Sequence, residues 1–591
     1  MVKVNSNNLA YRPGLDGVRA IAVAGVILYH GQVGLFSGGF LGVDVFFVLS
    51  GFLITSLLLR EHQLTGAIRL GHFWMGRIRR LVPAALVVIV VSLLVVAIFS
   101  RADLRLLKGD ALASVFYVNN WHQVFAQRSY FETFGRPSLL QHFWSLAVEE
   151  QFYLLWPLLL LAGFRFFTGR TIAWITAAAA LASAVLMWVL FNPDTDATRV
   201  YFGTDTRALP ILIGATMAFF WPSMLPGASR DPRGRTALTV IGAAGLLIVV
   251  AGMVGLNDYQ PFVFRGGLLI VALGAAMLIA SASHPASAIG DLLGTRVLVW
   301  VGRRSYGIYL WHWPVMAMSR PEIDFNVSLW ILVPAQVAVT LLAAELSYRY
   351  VEMPIRTQAL QRRLRAWWAR SGDGARRAVA IGAPACALAL VLLLAAWPAP
   401  RTPARERAAR SSGDASAKLK KAKATTPTTA TTATAPRRPV LMVGASVMLE
   451  GASLLEKGPL KATVDAADSR QHSVIIERLR AYRAEGTLPP VVVVQTGENG
   501  PLTDQDLQDL KDALRGVPRV VIMNLRYPGE SWIDATNEQL KALVAGWPQA
   551  RIADWRSASE DPSLLWDGTH PNEQGQAAYE RVVREAIDGN P

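Results

Sequence analysis

Long apolar runs alternate with short polar segments over the first two-thirds of the chain. A helix needs about 20 mostly apolar residues to cross the hydrocarbon of a bilayer. Eleven stretches meet that need, at 17–35, 39–59, 81–100, 142–162, 172–191, 207–222, 237–255, 263–283, 298–318, 328–348 and 377–398. A shorter run at 111–122 reads as interfacial. Residues 399–438, rich in Ala, Thr, Lys and Pro and containing TTPTTATTATAP, cannot build a core and predict an extended linker. Beyond the linker the pattern changes kind. VLMVG, VVVVQ, VVIMN and ARIADW are strand-length apolar runs separated by helix-like stretches. That alternation predicts a parallel α/β domain over 439–591.

Composition supports a membrane protein. The 591 residues are 52% hydrophobic and only 17% charged, against about 25% charged in a typical soluble domain. The net charge of +15 sits mainly in alternate short loops. Arg60, Arg69, Arg77, Arg79 and Arg80 follow the second run, and Arg165 and Arg170 the fourth. Arg230, Arg233 and Arg235 follow the sixth, and Arg349, Arg356, Arg362 and Arg363 the tenth. The intervening loops, such as GQVGLFSG and NPDTDAT, are poor in basic residues; 101–141 is a longer loop of mixed charge. By the positive-inside rule the N-terminus is cytoplasmic, and eleven spans place everything after Trp397 outside. No basic stripe with interleaved aromatics points to nucleic acid. The single cysteine, Cys386, excludes a disulfide within the chain and a cysteine-based metal site. The first apolar run contains Arg19 and His30 and ends without a small-residue cleavage site, so it reads as a retained helix.

Ionisable groups inside a bilayer cost roughly 2.5–3.5 kcal/mol each on insertion scales, which makes each a candidate for function. On the predicted topology His30, Asp44, Glu149, Glu150 and His312 fall in the outer halves of their spans. Asp205 and Arg207 fall at the outer mouth of the sixth. This predicts one layer of acid, base and cation groups. Arg19, Arg77, Arg79, Arg80, Arg303 and Arg304 form a second, cytoplasmic cluster, suited to phosphate through bidentate charge-assisted bonds. The plainer alternatives are topology anchors for the arginines and a structural network for the buried acids and histidines.

Seven segments occur in one order: RPGLDGVRAIAVAGVILYH, GGFLGVDVFFVLSGFLIT, FWMGRIRRLVPA, HFWSLAVEEQFYLLWP, YFGTDTRA, SYGIYLWHWP and ELSYRYVEMPIR. Together they resemble the acyltransferase family 3 membrane proteins over about residues 10–357. The resemblance implies transfer of acyl groups, most often acetyl, onto cell-surface carbohydrates. It implies His30 as the base or acyl-handling residue, with Arg19 and the Arg77–Arg80 pair at the acyl-CoA end. Glu149 falls in the family's most characteristic segment.

In the C-terminal domain VLMVG runs directly into Ala445 and Ser446, and a serine at a strand end before a helix is where a doubly wound sheet exposes active groups. Asp567-Gly568-Thr569-His570 lies near the C-terminus. Asp and His three apart suit a carboxylate that orients an imidazole acting on the serine. VVVVQ leads to Gly497-Glu498-Asn499-Gly500, where an Asn amide is a candidate oxyanion donor, an interaction worth about 2.7–4 kcal/mol of barrier elsewhere. The set resembles the SGNH hydrolase family over 439–591. That resemblance matches Ser446, Asn499, and His570 with Asp567 to the family's residues, and Ser469 to a position where a backbone amide serves the oxyanion. Ala445 stands where the family has Asp.

The fusion of both modules resembles the two-domain O-acetyltransferases of bacterial envelopes, including those acting on peptidoglycan. The expected architecture is a polytopic α-helical bundle over 1–357 and a basic loop with an eleventh helix over 358–398. A linker over 399–438 and an outer domain with a doubly wound parallel sheet over 439–591 complete it. The expected donor is acyl-CoA, with acetyl-CoA implied, and no metal. The expected acceptor is an extracytoplasmic glycan or glycolipid, such as peptidoglycan or lipopolysaccharide, and membrane lipid surrounds the bundle. Two other readings stand beside this one: a membrane-anchored carbohydrate esterase, and a non-enzymatic glycolipid transporter.

Overall fold

A computed structural model of the chain describes residues 9–101, 104–126, 137–192, 197–221, 234–258, 260–321, 324–325, 327–371, 439–467, 470–527, 532–565 and 568–589. The expected eleventh span at 377–398 and the linker at 399–438 lie outside the described residues.

The apolar runs are helices. In chain order they are α1 (Pro13–His30), α2 (Gly42–Thr65), α3 (Leu70–Phe99), α4 (Leu104–Val115), α5 (Asn119–Phe125), α6 (Phe143–Phe166), α7 (Gly169–Leu190) and α8 (Thr198–Phe202). There follow α9 (Thr204–Phe220), α10 (Arg235–Gly255), α11 (Leu268–Ser283), α12 (Ala288–Leu293), α13 (Arg296–Ala317), α14 (Leu329–Ser347), α15 (Met353–Arg356) and α16 (Ala359–Arg370). Among the described residues seven helices are long and apolar enough to cross a membrane, where the sequence pattern suggests ten. The difference falls on α1, α9 and α13. α9 has 17 residues. α1 is diluted by Asp16, Arg19 and His30, and α13 by Arg296, Arg303, Arg304 and His312. The helices that fall short are thus the ones carrying many of the candidate site residues. α3 begins at Leu70, so Arg77, Arg79 and Arg80 lie on a helix and not in a loop before it.

Whole faces of several helices are apolar and exposed: Leu154, Leu155, Leu158 and Leu159 on α6, Trp174, Ile175 and Leu181 on α7, Val240 and Leu247 on α10. Surface of that extent is stable against lipid. Inside the bundle, α2 and α9 cross at backbone contact. A Cβ on Gly51 would stand 1.9 Å from the Ile211 carbonyl oxygen, and one on Gly214 would stand 1.9 Å from that of Val48. Small residues permit such crossings between membrane helices. Asp44 and Arg207 lie in the same interface, both 0% exposed, with Nη2 donating to Oδ2 at 3.1 Å. The guanidinium also faces the rings of Tyr201, Trp144 and Phe47 at 4.9, 5.4 and 5.6 Å. This corrects the expected position of Arg207 at an open mouth. The first turn of α9 packs against α2, so its side chain points into the bundle.

The C-terminal domain comprises β1 (Val440–Gly444), α17 (Ser446–Lys457), β2 (Thr463–Ala466), α18 (His472–Ala484), β3 (Val491–Val494), α19 (Asp504–Ala513) and β4 (Arg519–Met523). It ends with α20 (Ile533–Ala545), β5 (Ala550–Ala553), α21 (Trp555–Ala558) and α22 (Glu573–Asp588). The five strands are parallel in the order β2-β1-β3-β4-β5. Leu441 and Val443 pack with Ile475, Leu479, Leu510 and Leu540 from α18, α19 and α20. Val440 and Met442 pack with Leu455, Tyr579 and Val583 from α17 and α22. Burial on both faces explains why the strands read as unbroken apolar runs. The chain leaves β1 toward β2 and then returns to β3 on the other side of β1. The carboxyl ends of β1 and β3 therefore open onto a crevice.

Removing one member of a buried ion pair leaves an uncompensated charge, at a cost of about 3–5 kcal/mol. Arg207→Ala and Asp44→Ala should each lower the thermal unfolding midpoint of the detergent-purified protein sharply. The double variant Asp44→Leu/Arg207→Met should recover much of that loss. Single variants as stable as the wild type would show that the pair is not structural.

Candidate functional site

Helices α1, α2, α3, α6 and α13 enclose a cavity of about 100 Å³. Arg19, Arg77 and Arg80 make it basic, and Ser50, Ser145, Glu149, Tyr153 and Tyr309 contribute hydroxyls and a carboxylate. Arg19 Nη1 donates to Asp16 at 2.7 Å. Ser50 donates to Glu149 at 2.6 Å and accepts from the Tyr153 hydroxyl at 3.0 Å. The single-layer expectation fails here: Glu149 lies among the arginines. On α6 the positions 142, 145 and 149 share one face, and seven residues of rise carry Glu149 roughly 10 Å from the level of His142. Glu150 does not line the cavity. Asp205 is held by Arg199 through bonds of 3.0 and 2.7 Å, and Arg207 is its neighbour in sequence only. Arg303 bonds the Tyr11 hydroxyl at 2.9 Å, and Arg304 pairs with Glu345, so both are engaged outside the cavity.

Beyond Ser145 and Tyr309, whose hydroxyls are 2.6 Å apart, lies a cluster of imidazoles. His30, the last residue of α1, places Nδ1 3.1 Å from Nε2 of His312. His312 Nδ1 faces the Tyr309 carbonyl oxygen at 2.5 Å. A carbonyl only accepts, so in the neutral ring Nδ1 of His312 carries the hydrogen and Nε2 accepts. His30 Nδ1 is then the donor in this pair. His142 joins the cluster, its ring centroid 5.7 Å from that of His312 and its Nε2 donating to the Leu310 carbonyl at 3.1 Å. Sequence reasoning missed His142, although it opens the HFWSLAVEE segment. Ser50, Ser145, Tyr153 and Tyr309 were missed too; all four lie inside the quoted segments.

In the C-terminal domain Ser446 is the first residue of α17, directly past β1. Its Oγ is 3.2 Å from His570 Nε2, and both residues are 6% exposed. The first N–H groups of α17 have no intrahelical acceptor and give this corner positive potential. His570 sits in the turn before α22, which Gly568 enters at φ +89°. Asp567 and Ser469 lie outside the described residues. Asn499 Nδ2 donates to the Arg470 carbonyl at 3.1 Å, which orients the amide. Arg470 is itself held by Asp465 of β2, with Nη1 on the backbone oxygen at 2.6 Å and Nη2 on Oδ1 at 2.8 Å. Arg478 and Tyr482 of α18 each donate to the other carboxylate oxygen at 2.8 Å. Burial alone would raise the pKa of Asp465, but the Arg470 charge and the Tyr482 and Arg478 bonds outweigh it and hold the group below its ordinary value. This support for Asn499 draws on a strand, a helix and two loops, and has no local sequence signature.

Comparison with known proteins follows the same two modules. Residues 12–349 match the family model described as an acyltransferase domain. The peptidoglycan O-acetyltransferase OatA of Listeria monocytogenes is 35% identical, with 98% of each chain aligned. The O-acetyltransferase OatA of Staphylococcus aureus (strain NCTC 8325 / PS 47) is 33% identical over 98% of this chain and 96% of its own. Among solved structures, the C-terminal catalytic domain of Streptococcus pneumoniae peptidoglycan O-acetyltransferase A, as a methylsulfonyl adduct, aligns with 25% of this chain and 92% of that one. The identity there is 21% and the TM-score 0.24.

Glu498, next to Asn499, is 3% exposed, and neither carboxyl oxygen has a hydrogen-bond partner among the described residues. Burial pushes its pKa up from 4.5 to about 8. Between those values the folded domain holds a proton that the unfolded chain releases, so stability falls as pH rises through that window. The unfolding midpoint of a 439–591 fragment, whose cores are closed among its own residues, should therefore drop between pH 5 and pH 8. Glu498→Gln should flatten that slope. An unchanged slope in the variant would assign the pH dependence to other groups.

Proposed function

The chain belongs to the acyltransferase family defined by that domain, and on this premise we propose that it is a two-stage membrane O-acetyltransferase that moves acetyl from cytoplasmic acetyl-CoA to a hydroxyl of extracytoplasmic peptidoglycan. The observation that carries the reading is the presence in one chain of two sets of groups suited to acyl transfer. One is His30 with His312, joined to the basic cavity through Tyr309, and the other is Ser446 with His570 at the crevice of a parallel sheet.

In the first stage Arg19, Arg77 and Arg80 hold the phosphates of the donor from the cytoplasmic side. Arg19 and His30 share α1, eleven residues or roughly 16 Å apart. A pantetheine arm lying along that helix carries its thioester past Glu149, Ser145 and Tyr309 to the imidazoles. His30 Nε2 takes the proton of a carrier hydroxyl as it attacks the thioester, and returns it to the thiolate as the carbon–sulfur bond breaks. CoA stays inside, and the acetyl group leaves as an ester of that carrier on the outer side.

In the second stage the Ser446 hydroxyl attacks the carbonyl of the carrier's acetyl ester, and His570 Nε2 takes its proton and returns it to the carrier oxygen as that carbon–oxygen bond breaks. The amide of Asn499 and the N–H groups at the start of α17 stabilise the oxyanion. A sugar hydroxyl then gives its proton to His570 and attacks the Ser446 ester, which releases the serine and leaves the O-acetyl sugar. Asp567, in the role that the SGNH resemblance implies, orients His570. Ala445, where that family has Asp, leaves these groups in place. The relatives named as O-acetyltransferases along nearly the whole chain support transfer over simple ester hydrolysis.

His30→Ala should reduce acetyl-CoA-dependent O-acetylation of peptidoglycan fragments by about 10²–10⁴-fold, the usual contribution of a general base. Ser446→Ala should abolish it as well. A small acyl ester supplied directly to the outer domain should restore transfer to the His30 variant and not to the Ser446 variant. Rescue of both, or of neither, would separate the two stages differently from this scheme.

His312→Phe removes the imidazole nitrogen that faces His30 Nδ1. His312→Gln offers an amide oxygen in its place. The Phe variant should lose about 10²-fold in kcat at unchanged KM for acetyl-CoA, within the range of a disturbed catalytic base, and the Gln variant should recover most of it. Equal activity in the two variants would remove His312 from the mechanism.

A further inference from the structure

A second, larger cavity of about 560 Å³ lies between the ends of α2, α6 and α9 and the start of α7, and it shares no lining residue with the arginine cavity. Its volume falls in the range of ligand sites. Three of its side chains are basic: Arg60, His62 and Arg170. Arg60 is buried at 8% exposed. His62 stacks on Phe164 with centroids 4.1 Å apart and planes 5° apart. Its Nδ1 is buried and has no hydrogen-bond partner among the described residues. Gly169 and Arg170 bring the first turn of the 22-residue α7 into the wall, and first-turn N–H groups attract anions. No carboxylate is among the lining residues; nearby Glu61 is paired with Arg69 at 2.9 Å.

Apart from Ser56 and Gln63, the remaining wall is apolar, and it leads outward. Phe219, Phe220 and Trp221 line the cavity. Phe220 is half exposed and packs 5.8 Å from Trp174 on the apolar outer face of α7. A phosphate in this cavity therefore has cations and helix N–H groups on one side and a route to the lipid-facing surface on the other. A soluble phosphate gains nothing from that apolar rim, whereas a lipid fills it with its chains.

We propose that this cavity is a headgroup site for an anionic phospholipid, its phosphate between Arg60, His62 and Arg170 and its acyl chains against α7 and α9. Basic pockets between membrane helices recognise acidic lipid headgroups in this way. The inference does not rest on the proposed acyl transfer.

The test uses the full chain, purified in uncharged detergent and exchanged into phosphatidylcholine nanodiscs with or without phosphatidylglycerol. Native mass spectrometry reads lipid retained after release. Wild type should retain phosphatidylglycerol over phosphatidylcholine. Arg170→Gln, at an exposed position, should weaken retention about 5-fold, and the double variant Arg60→Gln/Arg170→Gln roughly 20-fold. If the double variant does not fold, the single variant carries the comparison. Inorganic phosphate and coenzyme A, offered to lipid-free protein, should show no binding that depends on Arg170. Equal retention of phosphatidylglycerol by wild type and Arg170→Gln would overturn the proposal. So would Arg170-dependent binding of coenzyme A, which would make the cavity a soluble-phosphate site.

Discussion

A charge inside a bilayer needs an opposite charge or a polar route to water, and the membrane part of this protein is built around that requirement. Asp44 and Arg207 meet it with each other, at 3.1 Å and with no exposed surface. The rings of Tyr201, Trp144 and Phe47 close over the guanidinium. About two turns further along the same helices, Gly51 and Gly214 bring the backbones into contact. Ion pair and glycine crossing together set the position of α9 against α2, and α2 is a wall of both cavities. Neither cavity keeps its shape if that interface shifts, because close-packed helices do not deform continuously.

The other buried ionisable groups are arranged as a track. α1 carries Arg19 at one level and His30 at another; α6 carries Glu149, Ser145 and His142 in the reverse order along the chain. The two helices thus present a basic, carboxylate-containing end and an imidazole end, joined by the Ser145–Tyr309 contact. The same groups lower the hydropathy of α1 and α13, so the helices that look weakest as spans are the ones that carry the arginines and imidazoles.

The C-terminal domain solves a different problem with different means. Its strands are covered on both faces, which leaves the carboxyl end of the sheet as the place for polar groups. The strand order opens a crevice between β1 and β3, and Ser446 and Asn499 follow those two strands. Holding Asn499 takes further residues: Asp465 clamps Arg470, and the Arg470 carbonyl orients the amide.

Much of this was legible in the residues alone. Apolar runs define the membrane part, and three valine-rich runs with ARIADW mark four of the five strands, because burial in lipid and burial on two faces both select unbroken apolar stretches; the short β2 (Thr463–Ala466) has no such run. Ser446 and His570 were legible because strand ends and a short Asp–His spacing are local. What the chain does not carry locally is depth and partnership. The sequence pointed to one layer holding His30, Asp44 and Glu149. Helix packing separated them, giving His30 to His312, Asp44 to Arg207, and Glu149 to Ser50 and the arginines. His142 and Asp465 entered for the same reason. The rotation of each helix about its axis, and the elements it meets, decide which side chains converge, and only tertiary packing sets those.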